Sequence, residues 1–428
     1  MSPEAAAAAS ANVTGLLMYG TAKQHDRSRF PWHESIEKLW TTKWEPLVRI
    51  GAYPFDRWSQ HSDFEAIMTS LATKHAGVSA NDFDEDEWAS HFLEPGAAIL
   101  RQAQEYDAQG EREKAIETYL RSAAVFRIGT YPWFGHTSRS QAKAKTWQLD
   151  KLAYESAMST RTSLGRLDEY RFETVDIPFN NAPPCSSALV IPAYVTAPKP
   201  PAKSTRVILI IGGLDLYKTG PLQMISEVCD MGYTVVHVDM PGTGDCPITG
   251  KGTEDDRALW KSILDWIDEQ KGPRGWSEEG IYAWGLSSGA YHSVKLSRYE
   301  RQRVKEVLVH GTASHYTFNA DWLESADHLY YSVAYWSSIA KAFGYHDKHE
   351  FARECQRYSL LNQGLLDRPG TRLTVINGIE DSVVPIDDSI LLSSRGTGAT
   401  LLLFAGEDHM GLPSAEPFLK TFWRSRLT

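Results

Sequence analysis

Three polar residues, each placed just after an apolar run, carry the chemistry this sequence can do. Ser287 stands in Gly285-Leu286-Ser287-Ser288-Gly289, Asp381 in Asn377-Gly378-Ile379-Glu380-Asp381, and His409 in Ala405-Gly406-Glu407-Asp408-His409. A serine hydroxyl is essentially never ionised at neutral pH, so it attacks a carbonyl only when a base removes its proton. Histidine is that base, and a carboxylate behind it fixes the tautomer and stabilises the imidazolium. Glycines on either side of the serine have a steric reason, since a serine on a sharp strand-to-helix turn sits where neighbouring backbone must pass closely. Five such residues also occur by chance, and an ordinary Gly/Ser turn is the competing reading. The surroundings decide.

Those surroundings are an apolar run, Ile281 to Trp284, before the turn and a helical pattern from Ala290 after it. The acid and the histidine follow in later strand-end loops, in the order Ser, Asp, His. Glu380 is the local rival of Asp381. A tetrahedral intermediate needs two backbone N–H donors aimed at its oxyanion. Ser288, directly after the nucleophile, supplies one; the loop Gly212-Gly213-Leu214-Asp215 supplies the other, with Leu214 preferred and Gly213 the alternative. Asp215 and Tyr217 are close enough in sequence to touch a substrate, although Asp215 could equally cap its loop. Gly129-Thr-Tyr-Pro-Trp-Phe-Gly-His136 interrupts the preceding helices and could bring Tyr131 or His136 over the site; a packed turn between helices is the alternative. Of the remaining histidines, His237 lies inside a strand and reads as a packing residue.

The elements that must position these groups read in two parts. Residues 1–30 are an Ala-rich and then charged arm. From 31 to 165 the periodicity is helical, and Ala115, Ile116, Tyr119, Leu120, Ala123 and Ala124 form one helix face. With the shorter stripe Leu100, Ala103, Tyr106 before it, this resembles one tetratricopeptide unit, which is not a repeat array. From 166 to 428 strands and helices alternate, with strands predicted at Tyr170–Phe179, Ala188–Val195, Arg206–Ile211, Thr234–Asp239, Gly280–Trp284, Glu306–His310, Leu373–Asn377 and Thr400–Phe404. Such alternation implies an α/β class with a mostly parallel sheet flanked by helices. An aromatic-rich helical insertion at 312–366 reads as a lid, with Tyr316, Trp322, Tyr330, Tyr331 and Trp336 joining Trp133 and Phe134 as candidate cavity residues. Asp239-Met-Pro-Gly-Thr-Gly244 has spaced glycines but fits no nucleotide-binding pattern, and reads as a sheet-edge turn.

The 428 residues, 42% hydrophobic, are enough for one large domain and a smaller one. A net charge of −10 without a basic run argues against a nucleic-acid surface. Cysteines 185, 229, 246 and 355 lie far apart, so neither a disulfide framework nor a zinc site is expected. No run of about 18 apolar residues occurs, and Met1–Ala11 lacks a signal-peptide pattern. The expectation is a cytoplasmic protein with no cofactor, no metal, no membrane or nucleic-acid partner, and a small-molecule ketone or ester as its ligand. A homodimer stays open.

With the elbow, the Gly-Gly-Leu-Asp loop, Asn377-Gly-x-Glu-Asp381 and His409 in place, the chain resembles the α/β-hydrolases that carry a helical N-terminal domain. These include the fermentation-respiration switch protein family, 2,6-dihydroxypseudooxynicotine hydrolase and the fungal yellowish-green pigment hydrolases that shorten polyketides. The resemblance implies cleavage of a C–C bond beside a ketone in a polyketide or β-diketone. Fungal relatives equally imply an esterase, lactonase, acyltransferase or ring-closing enzyme working with the same triad. From a different class, a non-catalytic protein binding a partner through its helices is the third reading; a dead enzyme usually loses a triad member, and here all three are present.

Overall fold

Val207–Ile211 is apolar on both faces, and a strand of this kind is stable only inside a sheet covered on both sides. A computed structural model of the chain describes residues 26–132, 135, 140–164, 170–180, 182–184, 186–199, 204–396 and 399–427. Among the described residues eight strands fall on the eight predicted runs: β1 (Tyr170–Pro178), β2 (Val190–Pro198), β3 (Thr205–Ile211), β4 (Thr234–Val238), β5 (Trp276–Leu286), β6 (Val304–His310), β7 (Arg372–Gly378) and β8 (Ala399–Phe404). They form one sheet in the order β1-β2-β4-β3-β5-β6-β7-β8. The pairs β1–β2 and β2–β4 are antiparallel, and the rest are parallel. Every residue of β4 is buried. The turn after it is therefore not at a lateral edge, as expected from sequence, but between β2 and β3. Its Asp239 accepts hydrogen bonds from the Lys218 backbone N–H (2.7 Å) and Nζ (2.9 Å).

Helices precede the sheet. A helical run, α1, comprises Ile36–Lys38, a π-helical turn Leu39–Trp44 and Glu45–Ile50; α2 (His61–Lys74), α3 (Glu85–Ala108), α4 (Arg112–Thr130) and α5 (Gln141–Ser163) follow. Trp44, Phe64, Trp88, Phe92 and Trp147 form their shared interior. Polar ties join this part to the sheet: Thr219 donates to Asp150 at 2.8 Å, and Trp147 Nε1 to Asp245 at 2.8 Å. Among the described residues no helix is long and apolar enough to cross a membrane.

The crossovers that follow include α6 (Leu222–Asp230), α7 (Asp255–Arg274) and α8 (Ser288–Tyr299). Between β6 and β7 the chain leaves the sheet and forms α9 (Ala320–Ala326), α10 (Tyr335–Ala342) and α11 (Lys348–Glu354) before α12 (Ile386–Ser393) and α13 (Glu416–Arg424) complete the layers. Asp388, wholly buried on α12, fastens the root of this insertion, because its carboxylate accepts the N–H groups of His315, Tyr316 and Thr317. The insertion also reaches the N-terminal helices: Tyr131 and Ser332 share a 2.7 Å hydrogen bond, and Lys341 pairs with Glu85 at 2.7 Å.

Candidate active site

β5 ends at Leu286, α8 begins at Ser288, and Ser287 between them has φ 52° and ψ −124°. A non-glycine residue in such a conformation costs on the order of 1–3 kcal/mol and persists only where its surroundings enforce it. The enforcement is visible at both glycines. A Cβ on Gly285 would lie 2.5 Å from Ala290 Cα, and one on Gly289 2.1 Å from the carbonyl oxygen of Gly212. The Ser287 N–H in turn donates to the carbonyl of His310 at 2.7 Å.

Ser287 Oγ lies 2.8 Å from His409 Nε2, and His409 Nδ1 lies 2.8 Å from Asp381 Oδ2. Asp381 is wholly buried, and its other oxygen accepts the N–H groups of Val383 (2.8 Å) and Val384 (3.0 Å). Asn377, at the end of β7, binds both loops: its Nδ2 donates to Asp381 at 2.7 Å and its Oδ1 accepts the Met410 N–H at 2.9 Å. Asp408 caps the histidine loop by accepting the N–H groups of Ser382 and His409. Glu380 points instead to Arg29, which lies 3.6 Å from it and 3.5 Å from Asp408. Burial opposes a charge on His409, yet Asp381, with Asp215 and Asp408 adding to it, holds its pKa above the ordinary histidine value. Burial takes His310 the other way, down to about 4, so this neighbour stays neutral.

The loop 212–215 lies against the elbow: a Cβ on Gly213 would be 3.1 Å from Ser287 Cβ. Among the described residues no backbone carbonyl takes up the N–H of Gly213, Leu214 or Ser288. The Ser288 N–H opens α8, where no intrahelical acceptor exists. Asp215 is half-buried beside these donors; burial raises its pKa.

The remaining sequence candidates divide. Tyr131 is buried in a line of tyrosines, 6.4 Å from the Tyr53 ring and 6.4 Å from Tyr331, which is 5.2 Å from Tyr335. Tyr217 is drawn away from a substrate role, because its hydroxyl donates to the carbonyl of Gly135 at 2.9 Å and its ring packs on Trp147. Tyr316 is held by its backbone N–H on Asp388 and packs its ring 4.8 Å from His315. Trp322 and Trp336 are buried in the core, and His237 is a fully buried packing residue. Trp133, Phe134, His136, Cys185 and most of the N-terminal arm lie outside the described residues. Cys229, Cys246 and Cys355 are free and buried.

Tyr330, a cavity candidate from the sequence, is joined in the surroundings by Tyr53 and Lys43, which carried no sequence signal. Tyr53 donates its hydroxyl to the Asp215 carbonyl at 2.8 Å. Tyr53 and Tyr330 expose 43% and 37% of their surface, yet burial raises both phenols, Tyr330 to about 12 and Tyr53 further. Each therefore keeps part of its ring exposed while its hydroxyl end is buried. Lys43, from the π turn of α1, lies 4.2 Å from the Trp32 ring and 4.1 Å from the Tyr330 ring. An open groove of about 650 Å³ along β1 and β2, lined by Lys151, Tyr194 and Asp245, contains none of these groups. His75, Glu87 and His91 bring ligand-type atoms within 4.8 Å of one another, a grouping that cysteine and histidine spacing did not suggest. Lys74 already occupies Glu87 at 2.8 Å.

A mostly parallel eight-stranded sheet, with a serine on a positive-φ turn after its central strand and a carboxylate and histidine after the next two strands beyond β6, is the α/β-hydrolase fold. Residues 82–406 match the family described as "Esterase FrsA-like". The chain belongs to that family. It is 24% identical to Esterase FrsA of Photobacterium profundum over 323 residues, 72% of this chain and 69% of the relative. It is likewise 24% identical over 268 residues to the alpha/beta hydrolase ucsC of Acremonium sp, covering 59% of this chain and 51% of ucsC. The crystal structure of 2,6-dihydroxy-pseudo-oxynicotine hydrolase superposes with a TM-score of 0.64 at 17% identity, across 90% of this chain and 95% of that one, a likeness of fold.

Proposed function

We propose that the protein is a serine hydrolase that cuts a C–C bond beside a carbonyl in a polyketide or β-diketone. Ser287 is the nucleophile, His409 the general base and then acid, and Asp381 the group that orients it. The N–H groups of Ser288 and Leu214, with Gly213 as the alternative to Leu214, hold the oxyanion. The observation that carries this is the unbroken chain Ser287 Oγ–His409 Nε2, His409 Nδ1–Asp381 Oδ2, 2.8 Å at each step, on a serine held at φ 52°. The helical part, 31–165, and the insertion, 312–366, serve as cap and lid. The tyrosines they bring together give a chamber suited to a flat, oxygen-rich molecule. The fold shared with 2,6-dihydroxy-pseudo-oxynicotine hydrolase supports the C–C reading.

The second reading, hydrolysis of an ester or lactone or transfer of the acyl group by the same triad, is favoured by the description of the family as esterases. The deciding experiment offers the protein an aryl 1,3-diketone and an aryl ester side by side, with product analysis and fluorophosphonate labelling. Labelling at Ser287 with release of a carboxylic acid and a shorter ketone is expected. Ester turnover without C–C cleavage leaves the second reading, and a folded protein whose Ser287 resists the probe removes both.

A further inference from the structure

Lys43 is a lysine of unusual surroundings. It is 8% exposed, and its Nζ donates to the carbonyl of Tyr330 while resting against the faces of Trp32 and Tyr330. An ammonium carries three N–H groups, and this carbonyl is the one hydrogen-bond acceptor it meets among the described residues. Nor does a carboxylate lie in ion-pair range of it there: Asp408 and Asp215 act on it only from a distance. A short series of contacts leads from it to the histidine loop: Lys43 rests on Trp32, Trp32 packs 5.2 Å from Phe30, Phe30 lies under Arg29, and Arg29 is 3.5 Å from Asp408, next to His409. Burial pulls its pKa down to about 7. Leaving a cation buried without a counter-ion is expensive, and aromatic faces stabilise it without neutralising it. The π turn Leu39–Trp44 places it there, burying Leu39, Trp40, Lys43 and Trp44 together; such widened turns gather at functional positions.

We propose that Lys43 is a catalytic residue whose ammonium takes the enolate oxygen released when the C–C bond breaks. The proposal rests on the C–C reading above, and the steps are these. Ser287 Oγ bonds to one carbonyl carbon of a 1,3-dicarbonyl, and its proton passes to His409 Nε2. The oxyanion collapses, the bond from that carbon to the central carbon breaks, and the electron pair moves into the second carbonyl. That oxygen becomes an enolate held by Lys43, which keeps its proton. The central carbon takes the proton from His409, and the shorter ketone leaves. Water then adds to the acyl group on Ser287, giving its proton to His409; the carboxylic acid departs and the serine regains its proton. An aryl ester needs no such cation, because its phenolate leaving group is already stable.

The test compares wild type, Lys43→Met and Lys43→Arg on 1-phenyl-1,3-butanedione and on p-nitrophenyl acetate. Loss of one preorganised electrostatic contact typically costs about 10²–10³-fold in kcat. Lys43→Met is expected to lose that much on the diketone, with ester kcat retained as evidence of a folded site, while Lys43→Arg keeps diketone cleavage. Equal loss on both substrates in Lys43→Met, or loss on neither, overturns the proposal. So does the failure of Lys43→Arg to restore cleavage. A wild type that hydrolyses the ester but leaves the diketone intact overturns the C–C reading itself, and the role of Lys43 with it.

Discussion

Replacing Asp381 by asparagine changes only one heavy atom, yet the geometry around it makes the change severe. The carboxylate accepts at least four hydrogen bonds: from the N–H groups of Val383 and Val384 on one oxygen, and from Asn377 Nδ2 and His409 Nδ1 on the other. A carboxamide has one accepting oxygen and one donating NH₂. With its oxygen on the two backbone N–H groups, the NH₂ faces Asn377 and His409, and Nδ1 must become the acceptor. The imidazole proton then sits on Nε2, pointing at Ser287 Oγ, and the base has no lone pair left for the serine. A triad in the wrong tautomer loses about 10⁴ in kcat, or roughly 5.4 kcal/mol at about 1.36 kcal/mol per decade. The opposite amide orientation keeps the tautomer but faces two buried backbone donors with a third, at about 1–3 kcal/mol for each stranded group. Steady-state hydrolysis of p-nitrophenyl acetate, with thermal unfolding as the control for folding, measures the outcome. A folded Asp381→Asn protein retaining more than a tenth of wild-type kcat would refute the assignment of Asp381 and the relay built on it.

Two further outcomes follow from the same geometry. Because Asp381, Asp215 and Asp408 outweigh burial and raise His409, and because only its neutral form accepts the serine proton, kcat/KM is expected to fall as pH drops through a value above the ordinary histidine pKa of about 6.5; Asp215→Asn moves that limb to lower pH, and an unmoved limb in its pH profile counts against the charge coupling. Gly289→Ala sets a methyl 2.1 Å from the Gly212 carbonyl, so unfolding stability is expected to fall by about 1–3 kcal/mol or more and probe labelling of Ser287 to slow; a variant with unchanged Tm and labelling rate means that the elbow has slack the distances do not allow.

The strands and the three catalytic-type residues were legible in the sequence because each signal is local. β-formers run unbroken to a polar loop, and the loop residue acts from where its strand ends. Asp381 and His409 meet because β7 and β8 are neighbours, and the order of alternation already implies that. Side chains whose position depends on distant partners were not legible. Tyr217 follows the Gly212–Asp215 loop closely, but the Gly135 carbonyl takes its hydroxyl. Tyr316 lies near the start of the insertion, and its backbone is fastened by Asp388, 72 positions away. Lys43 lies in Trp-Thr-Thr-Lys-Trp, inside the stretch read as helical. A π turn alters the phase of that helix, and periodicity at 3.6 residues carries no sign of it. Tyr53 gives no sign of meeting Asp215 across 162 positions of chain.

The separate origins of the clustered tyrosines and of the three strand-end residues bear on inheritance rather than chemistry. Lys43 lies on α1, Tyr53 just after it, Tyr131 just after α4, Tyr330 and Tyr331 just before the insertion's α10 and Tyr335 at its start, whereas Ser287, Asp381 and His409 follow β5, β7 and β8. The two sets still touch, as where Arg29 meets the histidine loop and Trp322 Nε1 donates to the Val383 carbonyl beside Asp381. Under the proposed function, a lineage that exchanges these tyrosines or lengthens the insertion changes what the site accepts and keeps the three strand-end residues.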